Sequence, residues 1–293
     1  MDIFLEIINQ LVANGLVIGL TYTLFALGVT LIFGILGMIN FAHGEFYMLG
    51  AFGSYILQQE LGLNYFQAGI VTIIIICLIA WLIEKFTLRS LLDTDHLNSL
   101  LATFGLSIVL LNMVAIAYGT TPRQISSPFN GVVHIGNVFI TQQKIVIVLL
   151  GIVVIVLLNL FIKHSHLGKL MRAVSQNRMG AMVSGISIKR IYSFTFIFGV
   201  LLATLAGILI GPTTYVTPTM GTSVMLKGFV IVILGGLGSV PGAIIGGMLL
   251  GFVETGASSL VGNSWKDIIG YVILILVLLI RPQGIFGFQR RSQ

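Results

Sequence analysis

Charge is what this sequence has least of. Asp, Glu, Lys and Arg make up 8% of its 293 residues, against 57% hydrophobic residues and a mean hydropathy of +1.07. Soluble domains carry about a quarter charged residues, so too few are present to coat a water-soluble fold of this length, and lipid must cover much of the outside. Cysteine is almost missing: Cys77, inside an apolar run, excludes an internal disulfide and a cysteine-rich metal site and reads as a small core hydrophobe. A basic segment at the N-terminus is missing too, with Asp2 and Glu6 in its place, so no secretory signal is expected. Catalytic signatures are absent. There is no His-Glu-x-x-His pair and no Gly-x-Ser-x-Gly turn, and His43 and Glu45, two apart, do not share a helix face. Gly168-Lys169 runs into Leu170 without the upstream glycine of a phosphate loop. The expectation is a chain with no catalytic residues, no metal and no bound cofactor, for which any ATP would be hydrolysed by partner subunits. The net charge of +6 lies mostly in one loop and at the C-terminus without interleaved aromatics, which points to membrane topology and not to nucleic acid.

Long apolar runs are abundant. A helix needs about 20 apolar residues to cross the hydrocarbon core, and runs of that order fall at 11–36, 42–57, 66–83, 97–118, 145–162, 191–210, 229–253 and 268–280. The fold expected is therefore an all-α integral membrane protein of about eight transmembrane segments in a single domain, 1–293. The segment 163–190 contains Lys163, Lys169, Arg172, Arg178, Lys189 and Arg190 without an acidic residue. Cytoplasmic loops collect such residues, which puts that loop, Lys85 and Arg89 inside and the N-terminus outside. The tail, with Arg281, Arg290 and Arg291, also belongs inside. The stretch 229–253 must then enter and leave on the same side. It can, because Gly235, Gly236, Gly238, Pro241 and Gly242 break it into two half-helices. Non-helical backbone at membrane depth needs protein or water around it, so Gly235, Gly236 and Gly238 are candidates to line the pore. A faint echo links Gly34-Ile35-Leu36 and the later Met48-Leu49-Gly50-Ala51-Phe52 to Gly207-Ile208-Leu209 and Met225-Leu226-Lys227-Gly228-Phe229. The charge-derived topology gives the two copies opposite directions, the arrangement of an inverted repeat. Glycines spaced four apart, Gly15/Gly19, Gly207/Gly211 and Gly238/Gly242/Gly246, read as helix-packing surfaces.

Ionisable groups within spans default to functional hypotheses. His43 and Glu45 are candidates for the solute path, although the plainer reading puts them at the interface, with Glu45 at the water-facing start of the second span. Glu254 is read as interfacial and Lys227 as snorkelling. With no buried charges seen to pair, ion coupling is disfavoured. Thr21, Tyr22, Asn40 and Thr103 are further path candidates, against the plainer reading that each bonds its own helix or a neighbour.

The basic loop carries the most information. Ala173-Val174, Ala181, Gly185-Ile186, a basic residue and then Leu205-Ala206-Gly207 resemble the coupling loop of branched-chain amino-acid ABC transporter permeases of the LivH type. The segments 40–52, Gly235 to Ala243 and Arg281 to Gly287 resemble the same family in the same order, across almost the whole chain. The resemblance implies an importer pore that docks a short cytoplasmic helix on an ATPase, with Arg172, Ala173, Arg178, Ala181 and Gly185 as coupling residues. It also implies a homologous second permease subunit, two ABC ATPase subunits, an extracytoplasmic solute-binding protein and a bacterial inner-membrane location. Gln176 and Asn177 stand where the family often has acids in this loop. The cargo implied is a branched-chain or related amino acid. A urea or short-amide ABC permease, and a stand-alone channel or secondary transporter, are the alternatives at this stage.

Overall fold

The structure, a computed structural model, describes residues 2–91, 96–136, 138–281 and 284–285. Asp93 and Asp95, the tail arginines Arg290 and Arg291, and Pro282, Gln283, Phe286 and Gly287 of the C-terminal motif lie outside the described residues. The elements are α1 (Asp2–Leu36), α2 (His43–Leu61), α3 (Tyr65–Ile83), which runs through a π turn at Glu84–Leu88 into α4 (Arg89–Leu91), α5 (His96–Tyr118), strands β1 (Val132–Ile135) and β2 (Val138–Thr141), α6 (Gln142–His164), α7 (His166–Gln176), α8 (Arg178–Val183), α9 (Ile188–Ile210), α10 (Met220–Gly235), α11 (Val240–Leu260) and α12 (Lys266–Ile280). Among the described residues seven helices are long and apolar enough to cross a membrane: α1, α3, α5, α6, α9, α11 and α12 with their short extensions. The eight expected segments correspond to α1, α2, α3, α5, α6, α9 and α12 and to the broken stretch, which resolves into α10 and α11.

Burial sorts the helices. In α1 and α9 most of the apolar window is inside the protein, 78% and 72%, whereas in α6 and α12 it is 17% and 6%. The first pair forms the core, and the outer helices turn apolar side chains such as Ile152, Leu157, Ile275 and Leu279 to the surroundings. Small residues bring the core helices together. Gly15 and Gly19 of α1 face Phe252 and Met248 of α11, and a methyl group added at Gly251 would strike the backbone of Gly19. The partner of the Gly15/Gly19 pair is thus Gly247/Gly251, not another of the spaced sets noticed in the sequence.

Chain direction follows from contacts. Asn14 meets Lys144 and Leu20 meets Gly151, so α1 and α6 run the same way; Gln143 reaches the carbonyl of Leu209, so α9 runs opposite to both. Each core helix is followed by a shorter helix that packs on the other core helix, α2 on α9 and α10 on α1, and then by one further helix, α3 on α9 and α11 on α1. This exchange between antiparallel halves is the geometry of an inverted repeat, and it matches the sequence echo. The two short helices begin inside the protein: their first turns cross at Gly44 and Gly221, where a side chain at either glycine would strike the other's carbonyl.

The glycine break is a tight hairpin turn. α10 ends at Gly235, Gly236 (φ 95°) and Gly238 (φ 79°) take conformations that L side chains rarely adopt, and Ser239 caps α11 by accepting the Gly242 N–H (3.1 Å). Gly235 packs directly on Gly242, so the helices leave side by side. The chain end returns here, with the Ile285 N–H on the Leu234 carbonyl (2.8 Å) and Gly284 pressed against Gly236. Two segments distant in sequence, each singled out as a motif, therefore meet in space.

The basic residues Lys85, Arg89, Lys163, Lys169, Arg172, Arg178, Lys189, Arg190 and Arg281 all fall at the helix ends on the side of this hairpin. The opposite end carries the β1–β2 hairpin, which Gln10 brackets by bonding both the N–H and the carbonyl of Phe139 (3.1 Å each).

Candidate functional site

At the end away from the basic residues a cavity of about 660 Å³ opens between α1, α2, α6, α10 and α11, bordered by the 213–219 segment. Its wall is rich in hydroxyl groups, among them Thr21, Tyr22, Thr214, Ser223 and Thr255, with the ammonium groups of Lys144 and Lys266 and the carboxylate of Glu254. Lys144 is steadied by Asn14 Oδ1 at 2.8 Å. Such a wall offers donors, acceptors and both signs of charge to a small polar solute.

One side of this cavity is a buried ionic cluster. Lys227 Nζ lies 2.8 Å from Glu254 Oε2, 2.8 Å from Asp267 Oδ1 and 2.8 Å from the Tyr22 hydroxyl oxygen, and the Tyr22 hydroxyl donates to Glu254 (2.7 Å). Lys227 is 6% exposed and Glu254 3%. These findings correct two expectations: Lys227 does not snorkel to water, and Glu254 is not interfacial. The inference that the chain lacks paired buried charges falls with them. Burial of Lys227 and Glu254 is sustainable because each charge meets the opposite one and further hydrogen bonds, and Asp267, whose side chain is 45% exposed, adds a second carboxylate to the cation. A signal was available in the sequence, since Lys227 and Glu254 are the only charged residues between Arg190 and Lys266.

A second cavity, about 180 Å³, lies nearer the basic end, between the second half of α1, the 37–42 segment, the start of α2 and the second half of α10. Its wall is aliphatic and aromatic except for Asn40 and His43. The His43 ring packs against Gly28 on α1, which also touches the Gly199 carbonyl on α9, and a methyl at Gly28 would collide with both. His43 and Glu45 are both fully buried, which corrects the interfacial reading. Glu45 sits where the first turns of α2 and α10 cross, a favourable place for a carboxylate, and accepts from Ser107 (2.9 Å) and Thr222 (3.3 Å).

The path candidates from the sequence divide. Thr21 and Tyr22 line the larger cavity, and Thr21 also bonds the Val17 carbonyl of its own helix (2.9 Å). Asn40 and His43 line the smaller one. Thr103 accepts the Phe41 N–H (3.2 Å) and fixes the 37–42 segment, so its place is structural. Gly235, Gly236 and Gly238 line neither of these two cavities, because the turn they form is spent on packing the hairpin; only their neighbour Leu237 reaches the smaller one.

The basic loop folds as two short helices. Ser165 caps α7 by accepting the Gly168 N–H (2.9 Å), and Asn177 caps α8 by accepting the Gly180 N–H (2.8 Å). Of the residues expected to couple, Arg172 turns back to the Ile162 and Lys163 carbonyls at the end of α6, Arg178 lies over the Tyr192 ring (5.6 Å), and Ala181 is buried. Gly185 ends the loop with φ 81°. What the loop presents outward is Met179, Met182 and Val183, 68%, 49% and 84% exposed. The sequence reading missed these three because attention went to charge and to small residues.

Residues 11–278 match the family model described as branched-chain amino acid transport system / permease component. The chain is 36% identical over 97% of its length to the high-affinity branched-chain amino acid transport system permease protein LivH of Escherichia coli (strain K12), covering 96% of that protein. It is 36% identical to BraD of Pseudomonas aeruginosa, over 95% of each chain. The ribose import permease protein RbsC of Escherichia coli (strain K12) is 31% identical over 40% of this chain. Among solved structures, PsaBC from Streptococcus pneumoniae in complex with Fab shares the fold at a TM-score of 0.54 and 12% identity, covering 93% of this chain and 92% of that one.

Proposed function

We propose, from the premise that this chain belongs to the branched-chain amino acid transport permease family, that it is the membrane-spanning subunit of an ABC importer for branched-chain amino acids. The observation that carries this is the extent of the similarity: the matches to two branched-chain amino acid permeases cover 97% and 95% of the chain. The chain is a transport component and not an enzyme. ATPase and solute-binding partners follow in general form from an ABC permease; a homologous second permease and a pair of ATPases are the assembly favoured here.

The basic end is assigned to the cytoplasm by the excess of Lys and Arg in its loops. The 660 Å³ cavity then opens to the outside, where a binding protein would release its cargo. An amino acid arrives as a zwitterion, and a wall holding ammonium groups, a carboxylate and many hydroxyls suits both of its charges. At the other end α8 offers Met179, Met182 and Val183 as an apolar knob for an ATPase cleft. Arg172 ties α7 to the end of α6, and Ile188 begins α9 just beyond Gly185, so a push on the knob reaches a surface helix and a core helix together. ATP does work only through contacts that differ between the inward-open and outward-open states.

The test is reconstitution of this chain with its second permease, ATPases and binding protein in proteoliposomes. ATP-dependent leucine uptake, competed by isoleucine and valine, is expected. Uptake of urea or short amides in place of leucine would move the cargo to the alternative class, and flux without the ATPases would return the chain to the stand-alone transporters.

A further inference from the structure

The smaller cavity has a feature that packing does not explain. Asn40 Oδ1 accepts the Ala42 N–H (3.1 Å), which commits that oxygen and leaves the amide Nδ2 without a hydrogen-bond partner. Both ring nitrogens of His43 are also unpartnered, the ring facing the Phe25 carbonyl without hydrogen-bond geometry. Asn40 is 4% exposed and His43 is fully buried. A buried polar group left unpaired costs about 1–3 kcal/mol, and folded proteins satisfy nearly all of them. Here the unpaired groups border a cavity of about 180 Å³ whose remaining wall is apolar, with Val29, Ile32, Val232 and Ile233 among its residues.

Space, wall and orphan groups together describe a ligand. A cavity of about 150 Å³ with an aliphatic lining accepts benzene, so this one has room for a branched four-carbon side chain. The ligand must also bring a polar head to the Asn40 and His43 corner. A water molecule answers the second requirement and not the first. A branched-chain amino acid answers both.

Position agrees. Tyr47 lines the larger cavity and His43 the smaller, and the buried ring of Phe25 touches both, with centroids 5.8 Å from Tyr47 and 5.0 Å from His43. Phe25 is also seated against Gly228 of α10, so this chain of rings is held by α1, α2 and α10 together.

We infer that the smaller cavity is a second station on the import path, which takes the aliphatic side chain of the cargo among Val29, Ile32, Val232 and Ile233 and its polar head at Asn40 and His43, and which neighbours the larger cavity through the Tyr47–Phe25–His43 ring contacts. This rests on the importer reading above. The outer cavity reads charge and the inner one reads the shape of the side chain.

The experiment uses the complete importer in proteoliposomes and follows initial uptake of leucine and of valine together with ATPase stimulation by leucine-loaded binding protein. Val232→Phe, which fills the space, is expected to lower leucine uptake tenfold or more. Ile233→Ala, which widens it, is expected to shift the leucine-to-valine uptake ratio several-fold. Wild-type leucine uptake in Val232→Phe overturns the station. Should Val232→Phe lose both activities through failure to assemble, Ile233→Ala decides, and an unchanged ratio there overturns it. An unmutated importer that carries neither amino acid removes the importer reading and the occupant with it, a result distinct from either variant's failure.

Discussion

Lys227 is surrounded by oxygens from three other helices: Tyr22 on α1, Glu254 on α11 and Asp267 on α12. A lysine at this depth without them would cost at least about 2.5–3.5 kcal/mol even by insertion scales. Removing one partner of a buried pair strands the other charge, typically at about 3–5 kcal/mol. Lys227→Met is therefore expected to lower the thermal stability of the detergent-solubilised protein sharply, and adding Glu254→Gln to recover much of the loss; melting curves of the two variants check this. A double variant no more stable than the single one would show that the cluster is not held by the pair. At Gly28 the limit is space and not charge. A methyl there meets both the His43 ring and the Gly199 carbonyl, and overpacking of this kind costs about 1–3 kcal/mol. Gly28→Ala is expected to lower the melting temperature by that route.

At the scale of elements, the short helices α7 and α8 and the α10–α11 hairpin do different work. Gly185 holds φ 81°, which proline, fixed near −65°, cannot take. Gly185→Pro is accordingly expected to abolish ATP-linked uptake while the protein still inserts in the membrane, measured by uptake beside a membrane-fraction blot. Met179→Asp with Val183→Asp alters only exposed side chains. Loss of ATPase co-purification at unchanged melting temperature is the expected outcome, and a full complex would remove α8 from the docking surface. Gly238→Leu is expected to stop transport, though for a reason that only the fold supplies. It strains a left-handed turn where an added Cβ would sit 3.2 Å from the Gly34 Cα, and so loosens α1 from the hairpin instead of obstructing a pore.

For the molecule as a whole, the pattern of charge and the packing of the repeats agree. The two halves pass helices to each other around α1 and α9, and α2 and α10 begin inside the protein at their crossing. An arrangement of this kind puts irregular backbone and the Glu45 carboxylate at depth, where neighbouring protein and not lipid surrounds them. The orientation is open to direct measurement. With Cys77 replaced, a cysteine at exposed Ser184 is expected to react with an impermeant thiol reagent only in inverted vesicles, and one at exposed Asn263 only in intact cells. The opposite pattern would reverse the membrane orientation and remove the docking role of α8.

Much of this protein was legible without coordinates because the bilayer imposes strong one-dimensional rules. Apolar length marked the spans, Lys and Arg marked one end, and Gly235 to Gly242 marked the turn. The family motifs gave the class of transporter. Side-chain partners were not legible, because they join residues far apart in the chain. Lys227 read as a surface residue until Glu254 and Asp267 were brought beside it; His43 and Glu45 read as interfacial until α2 was seen to start inside the protein. The glycines of the break read as a pore lining until their contacts showed helix packing. Sequence by itself determined that the chain is embedded in a membrane and where it bends, since those depend on hydrophobicity and local backbone freedom. Only the tertiary structure decided which polar groups face a cavity and which face each other, since that depends on how antiparallel helices from the two halves meet.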